Sequence, residues 1–377
     1  MKKILFLITL LLPIGIHAQN CDCEEVFSWT KRTFEENDAG FSYIIAKKGE
    51  QAYAVHNELI QAKVSEIDSP IKCQNIVREW LSFFRQGHVE FNYLGETDET
   101  VAGPLEEGEE GTEQPLEDNP LYQKFLTASN PFLETLNDNT LYLRIPSFAG
   151  SEKSKIDSLI ASNRSKILST KHLIIDIRNG TGGSDVSFES LLPILYTNPI
   201  RTPGVEFLST KLNNQRMYQL ATNTGIVEDY GLDLSAEEMK QYRAYYDTLS
   251  NHLGEFVSLS PEEVSVTTFD TVYTYPQSIG ILINERNASN DEQFLLSAKQ
   301  SKKVKLFGTT TQGALDVSNL FFTYSPEEDF VLVYALSKSL RIPNFVIDDI
   351  GIKPDFYLDK EIPFSEWIKH TAKVLDE

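Results

Sequence analysis

The residue whose setting best suits chemistry is Ser289, within Asn287-Ala288-Ser289-Asn290-Asp291-Glu292. Upstream, Ile279-Gly280-Ile281-Leu282-Ile283-Asn284 is short, apolar and rich in β-branched residues, and it reads as a buried strand. Downstream, Glu292 to Ala298 reads as a helix with an acidic first turn. Ser289 is therefore expected in a tight strand-to-helix turn. Such a turn holds the hydroxyl away from the sheet, and free N–H groups at the positive helix end face whatever the hydroxyl attacks. That is the equipment of acyl transfer, in which an oxyanion must be stabilised. An isolated Ser or Asn at such a place is more often an ordinary helix cap, so Ser289 needs partners.

The partners form a pattern. Asp176-Ile177-Arg178-Asn179-Gly180-Thr181-Gly182-Gly183 resembles the D-[LI]-R-x-N-x-G-G segment of the tail-specific, or C-terminal processing, serine peptidases. The Asn287–Glu292 segment matches the second half of that family's nucleophile turn, with Ser289 at the nucleophile position. Gly308 to Gly313 resembles its G-x-x-T-x-G, and Gly351-Ile352-Lys353-Pro354-Asp355 its closing G-V-x-P-D. Four motifs in order over about 180 residues are far more specific than any one alone. The resemblance implies an α/β fold: a mixed-sheet, crotonase-like catalytic core with an N-terminal helical segment and a helical insertion.

Departures from the pattern select the chemistry. The bacterial processing branch uses a Ser–Lys dyad, with the lysine just after the last glycine of G-x-x-T-x-G; here that residue is Ala314. Lys302, Lys303 and Lys305 belong to a different segment. The other branch, typified by tricorn protease and related to interphotoreceptor retinoid-binding protein, uses a histidine from an N-terminal helical segment. Cys73, Ile76, Val77, Trp80, Leu81 and Phe84 have helical spacing. Gly87 is placed to end that helix as a C′ glycine, and His88 follows. The resemblance makes His88 the general base; its alternative is a capping histidine at a helix C-terminus.

Where the tricorn-type pattern has a serine beside the histidine, this chain has Gly87. Where it has a glutamate three residues before the closing glycine, this chain has Asp348, expected to orient and charge-stabilise His88. The competing reading of Asp348 and Asp349 is a pair of turn residues. For the oxyanion hole, glycines let backbone N–H groups approach closely. One of Gly182 and Gly183, at the end of the apolar strand Leu173–Ile177, is expected to pair with the N–H of Asn290. The run lacks G-K-[ST] and G-x-G-x-x-G, so it is a poor phosphate cradle. No cofactor and no metal are expected.

The elements that must position these residues divide the chain. Residues 1–18 read as a signal peptide: Lys2 and Lys3, an apolar run from Ile4 to Ile16, and cleavage after Ala18. Residues 19–93 read as a helical domain carrying His88, 94–120 as an acidic linker, and 121–377 as the α/β core. Strands are expected near Thr140–Ile145, Leu173–Ile177, Ile279–Asn284, Val304–Phe307 and Phe330–Leu336. The helical insertion, at about 200–275, contains the capping box Ser235-Ala236-Glu237-Glu238. Too few residues separate Tyr93 from Thr140 for the peptide-binding PDZ domain of the processing branch.

Composition restricts partners. The formal charge of −21 argues against nucleic acid and anionic membrane surfaces. After signal removal no segment is expected to enter a membrane, and the protein is expected to be exported, periplasmic or secreted. Three cysteines in an oxidising compartment suggest one disulfide, from Cys73 to Cys21 or Cys23. The expected activity is hydrolysis of a peptide or protein substrate. The alternatives are a catalytically inactive protein of the same fold that binds a peptide or small apolar ligand, and an esterase using the same serine. Oligomeric state is open.

Overall fold

The computed structural model of the chain describes residues 21–95, 119–225 and 234–377. The expected signal peptide and nearly all of the acidic linker lie outside them. Four helices come first: α1 (Cys23–Asn37), α2 (Phe41–Lys48), α3 (Glu50–Val64) and α4 (Pro70–Ser82). Asp22 caps α1 by accepting the Glu25 N–H at 3.0 Å, and proline fills the first turn of α4, where no N–H is needed. A disulfide joins Cys23 to Cys73 and so ties α1 to α4, while Cys21 is free.

The helix carrying the Cys73–Leu81 face ends earlier than its periodicity suggests. It closes at Ser82, and Phe83 and Phe84 turn back through tighter bonds to Trp80 and Leu81. Gly87 is thus not its C′ glycine. The positive φ of 56° falls on His88 itself. The reason is packing: Phe84 is fully buried against Phe34 and Trp80, and it pulls the chain out of helical register.

From His88 the chain enters β1 (Glu90–Tyr93), then α5 (Pro120–Thr127), β2 (Phe132–Asn137), β3 (Thr140–Arg144), α6 (Lys153–Ile167), β4 (His172–Asp176) and the one-turn α7 (Leu192–Leu195). The insertion follows with β5 (Ile200–Pro203), β6 (Val205–Leu208), α8 (Gln215–Thr222), α9 (Ala236–Ser250), β7 (Phe256–Ser258) and β8 (Val264–Thr267). The core resumes with β9 (Ser278–Ile283), α10 (Asn290–Ala298), β10 (Val304–Gly308), β11 (Val317–Tyr324), β12 (Phe330–Ser339), β13 (Phe356–Tyr357) and α11 (Trp367–Asp376).

One sheet has the order β13-β10-β9-β4-β3-β2, parallel throughout except for the β2–β3 pair. Its central strands are buried on both faces, as expected of apolar runs flanked by helices. The second sheet is antiparallel, with β12 paired to β1, β11 and β6, and β6 to β7. The fold is therefore mixed α/β. The helices α1–α4 do not form a core of their own: Phe27, Phe34, Trp80 and Phe84 share one with Phe91, Phe330, Leu332 and Tyr334 of the antiparallel sheet. That shared core carries His88 to the rest of the molecule.

The insertion is not purely helical. The capping box is present, with Ser235 and Glu238 bonded reciprocally, and Tyr242, Tyr246 and Leu249 pack with Met217 and Leu220. Its strands β6 and β7, however, extend the antiparallel sheet. They are short and half-buried without alternation, so no period-2 signal marked them.

Candidate active site

Ser289 sits where the parallel strand β9 ends and α10 begins. Its backbone has φ 56° and ψ −118°, a conformation rarely adopted by a residue with a Cβ and one that costs about 1–3 kcal/mol. Its side chain makes no cap bond, so the hydroxyl is not spent on its own helix. The turn is held from outside. The Ser289 N–H donates to the Ala314 carbonyl at 2.9 Å, and Asn287 Nδ2 donates to the Ile177 carbonyl at 2.6 Å. Asn284 and Asn179 bond side chain to side chain at 2.7 Å, joining this turn to the glycine loop.

Glu292, on the inward face of α10, fixes the other wall. Its carboxylate accepts Thr311 Oγ1 at 2.5 Å and the N–H groups of Gly313 and Ala314, each at 2.8 Å. It therefore holds the segment whose Ala314 carbonyl seats Ser289. From sequence this residue closes the matched nucleophile turn and lies in an acidic first turn, but its contacts with Thr311, Gly313 and Ala314 come from a separate segment and were not legible.

His88 reaches the same segment from the other side. Its Nδ1 lies 2.7 Å from the Val317 carbonyl. A carbonyl only accepts, so Nδ1 carries the proton and Nε2 keeps its lone pair. Burial lowers the His88 pKa from 6.5 to about 4; the Arg85 charge acts in the same direction, while the Val317 carbonyl and Asp38 oppose it. The ring is neutral at ordinary pH. Its backbone is clamped by Arg85, which donates from Nε to the Gly87 carbonyl at 3.1 Å and from Nη2 to the His88 carbonyl at 2.9 Å. Arg85 is in turn locked to Asp38 in a buried two-point pair, with Nη1 to Oδ1 at 2.8 Å. Neither Arg85 nor Asp38 stands out in the sequence.

Gly87 has a spatial reason. A Cβ there would lie 2.4 Å from Cβ of Ala314, so the serine of the tricorn-type pattern does not fit beside this alanine. The lysines lie elsewhere: Lys302, Lys303 and Lys305 precede or open β10, whereas Ser289 follows the opposite end of the parallel strand β9. His56, His172, His252 and His370 also lie away from this turn; His56 stacks on Phe83, and His172 bonds Ser278 and approaches Asp376.

Asp348 does not touch the imidazole. Oδ1 accepts the N–H groups of Leu315 and Asp316, both at 2.6 Å, and Oδ2 that of Val317 at 3.2 Å. Its connection to His88 runs through this backbone, because the strand it grips presents the Val317 carbonyl. Burial and the neighbouring Asp316 raise its pKa to about 6, against the pull of those N–H groups. Asp316 itself is buried, pairs with Arg341 at 2.8 Å, and accepts the Asp348 N–H at 2.9 Å. The short aspartate side chain is used up by the loop it stabilises.

The oxyanion candidates separate. Gly182 has φ 95°, and a Cβ on it would come within 2.8 Å of Ser289 Cβ and 3.1 Å of the Asn290 nitrogen, so only glycine lets the loop close on the turn. The Gly182 N–H points at the Asp291 carboxyl. Gly183 bridges to Phe148 through the following residue's N–H, leaving its own N–H without a hydrogen bond to any described residue. Asn290 opens α10, where its N–H has no intrahelical acceptor; its side chain donates to Asp185. Ser289 and His88 thus flank the Ala314–Val317 segment, with no hydrogen bond between Nε2 and Oγ. Asp176 and Arg178 pair with each other in full burial at the loop base. Among the described residues no group of three or more His, Cys, Asp or Glu could hold a metal ion, and no helix is long and apolar enough to cross a membrane.

Known proteins share this fold. Mature CPAF has the same fold, with a TM-score of 0.61 at 14% identity over 94% of this chain and 96% of that one. A protein of Parabacteroides merdae ATCC 43184, provisionally described as a peptidase, gives 0.55 at 14% identity over 94% and 97%. An uncharacterized protein of Chlamydia muridarum (strain MoPn / Nigg) is 24% identical over 259 residues, 60% of this chain but only 41% of that relative's length. The family model for peptidase family S41 matches residues 139–358, more than half of the chain and all four motifs. With its mixed α/β fold and its serine at the strand-to-helix turn, the chain belongs to peptidase family S41.

Proposed function

We propose that the protein is an exported serine peptidase of the tricorn-like branch. Ser289 attacks a peptide carbonyl, His88 Nε2 takes the Oγ proton and returns it to the leaving amine, and the N–H groups of Gly183 and Asn290 bind the oxyanion. The carrying observation is that one short segment serves both groups: Ala314 seats the strained Ser289 turn, and Val317 fixes the tautomer that leaves Nε2 basic. Asp348 is a positioning residue, acting through Val317. Export is supported by the leader-like N-terminus and by the Cys23–Cys73 disulfide, a bond at home in oxidising compartments.

One observation favours a second reading, an inactive protein of this fold that binds a peptide or small apolar ligand: no carboxylate reaches the imidazole. Catalytic hydrogen bonds commonly tighten only with substrate bound, so this does not displace the first reading. The test is hydrolysis of an unfolded protein such as casein by wild type, Ser289→Ala and His88→Ala. Activity in the wild type alone supports the peptidase; equal residual activity in all three contradicts it.

A further inference from the structure

Two residues beyond the nucleophile, Asp291 is buried at 1% exposure and has no part in the steps above. Its Oδ2 accepts Asn287 Nδ2 at 2.8 Å, and the Gly182 N–H points at the same carboxyl. Oδ1 is buried with no hydrogen-bond partner. A Cβ at Gly180 would lie 2.5 Å from Oδ2, so the glycine loop rests directly on this group. The charges acting on it are Glu292 from its own helix and Arg144 from the end of β3. On the loop side, Asp176 and Arg178 are closed on each other. Burial, with Glu292 adding, raises the Asp291 pKa to about 7 against the Asn287 and Gly182 donors and Arg144.

Resting on the Ser289–His88 reading, we propose that Asp291 is a positioning residue of the oxyanion site whose carboxyl seats the Gly180–Gly183 loop, and whose ionisation slows the reaction by placing a negative charge beside the forming oxyanion. The neutral carboxyl accepts from Asn287 while leaving the site uncharged. The carboxylate adds a full charge in the first turn of α10, where the helix would otherwise favour the oxyanion. At an effective dielectric constant of ~20, a unit charge at a separation on the order of 10 Å corresponds to a reaction slower by roughly 10- to 20-fold. A raised pKa means the neutral form dominates below about pH 7, so the rate falls above it. His88 is already neutral over that range.

The test measures kcat/KM for a peptide substrate, and the rate of fluorophosphonate labelling, from pH 5 to 9. Wild type, Asp291→Asn and Ser289→Ala are compared. Asparagine keeps the shape and an acceptor oxygen but cannot ionise. The expected result is a wild-type rate that drops on the order of tenfold between pH 6 and pH 9, and a flat profile in Asp291→Asn. Superimposable profiles, or a uniform loss at every pH in the variant, overturn the proposal. So does a wild-type rate that stays level or climbs across that range, a result needing no folded variant. Labelling of Ser289→Ala at the wild-type rate would instead remove the nucleophile assignment beneath it.

Discussion

At the scale of single residues, the proposed base His88 carries a definite pH dependence. Desolvation holds His88 neutral down to about pH 4, so kcat/KM should rise with pH through a value well below 6.5 and be level before neutrality. His88→Ala should lose at least ~100-fold in kcat, the lower range for general-base catalysis. The same shift has a stability cost in acid: the folded state resists protonating this ring, so its contribution falls as pH drops from 6.5 towards 4. Urea titrations at pH 4.5 and 7, with and without His88→Ala, check that sign. Asp348→Asn should behave differently. Its amide would present a donor to one of three N–H groups, costing about 1–3 kcal/mol, and kcat should fall as the Val317 carbonyl shifts; unfolding temperature and kcat should therefore drop together. Ser289 was legible because its placement depends on a local strand, turn and helix. Asp348 was visible as a position but not as a contact, because its partners at Leu315–Val317 come from a loop more than thirty residues away. The contacts of Glu292, the part played by Asp291 and the Arg85–Asp38 pair were hidden for the same reason: a buried charge is recognised by what surrounds it.

At the scale of elements, the two groups of the site ride on different supports. Ser289 hangs from a parallel strand, His88 from the junction between α4 and β1. The buried apolar strands β3, β4, β9, β10 and β12 were readable as runs, whereas β1, β6, β7 and β11 are short or half-buried and carry no clean period. The early end of α4 was also invisible, since the Phe84 burial that causes it is tertiary. The junction depends on Arg85. Removing one partner of a buried pair leaves an uncompensated charge, so Arg85→Ala should destabilise by about 3–5 kcal/mol and reduce activity even where the protein remains folded. Reduction of Cys23–Cys73 releases a 50-residue loop, worth about 4 kcal/mol on the chain-entropy account. Activity and far-ultraviolet circular dichroism followed together in reductant should show activity lost first, as α4 loosens. Unchanged activity in fully reduced protein would contradict that coupling.

At the scale of the whole molecule, the helical segment and the antiparallel sheet share one core, and the parallel sheet supplies the turn on which Ser289 stands. A mixed α/β architecture followed from the four ordered motifs and the apolar runs; the joining of β1 to β12 did not, because pairing between distant strands leaves no local mark. The charge of −21 and the leader-like apolar run from Ile4 to Ile16 are what the proposed export rests on in the sequence. Production with the leader intact should yield a mature N-terminus at Gln19 by mass spectrometry, and a retained Met1 would contradict export by that route. The central claim is that Ser289 is a nucleophile made reactive by His88. It is tested most directly by treating the wild type, Ser289→Ala and His88→Ala with a fluorophosphonate and mapping any adduct by peptide mass spectrometry. The account predicts one adduct, on Ser289, formed rapidly in the wild type, slowly in His88→Ala and not at all in Ser289→Ala. An adduct on another residue, or equal labelling in all three proteins, would contradict it.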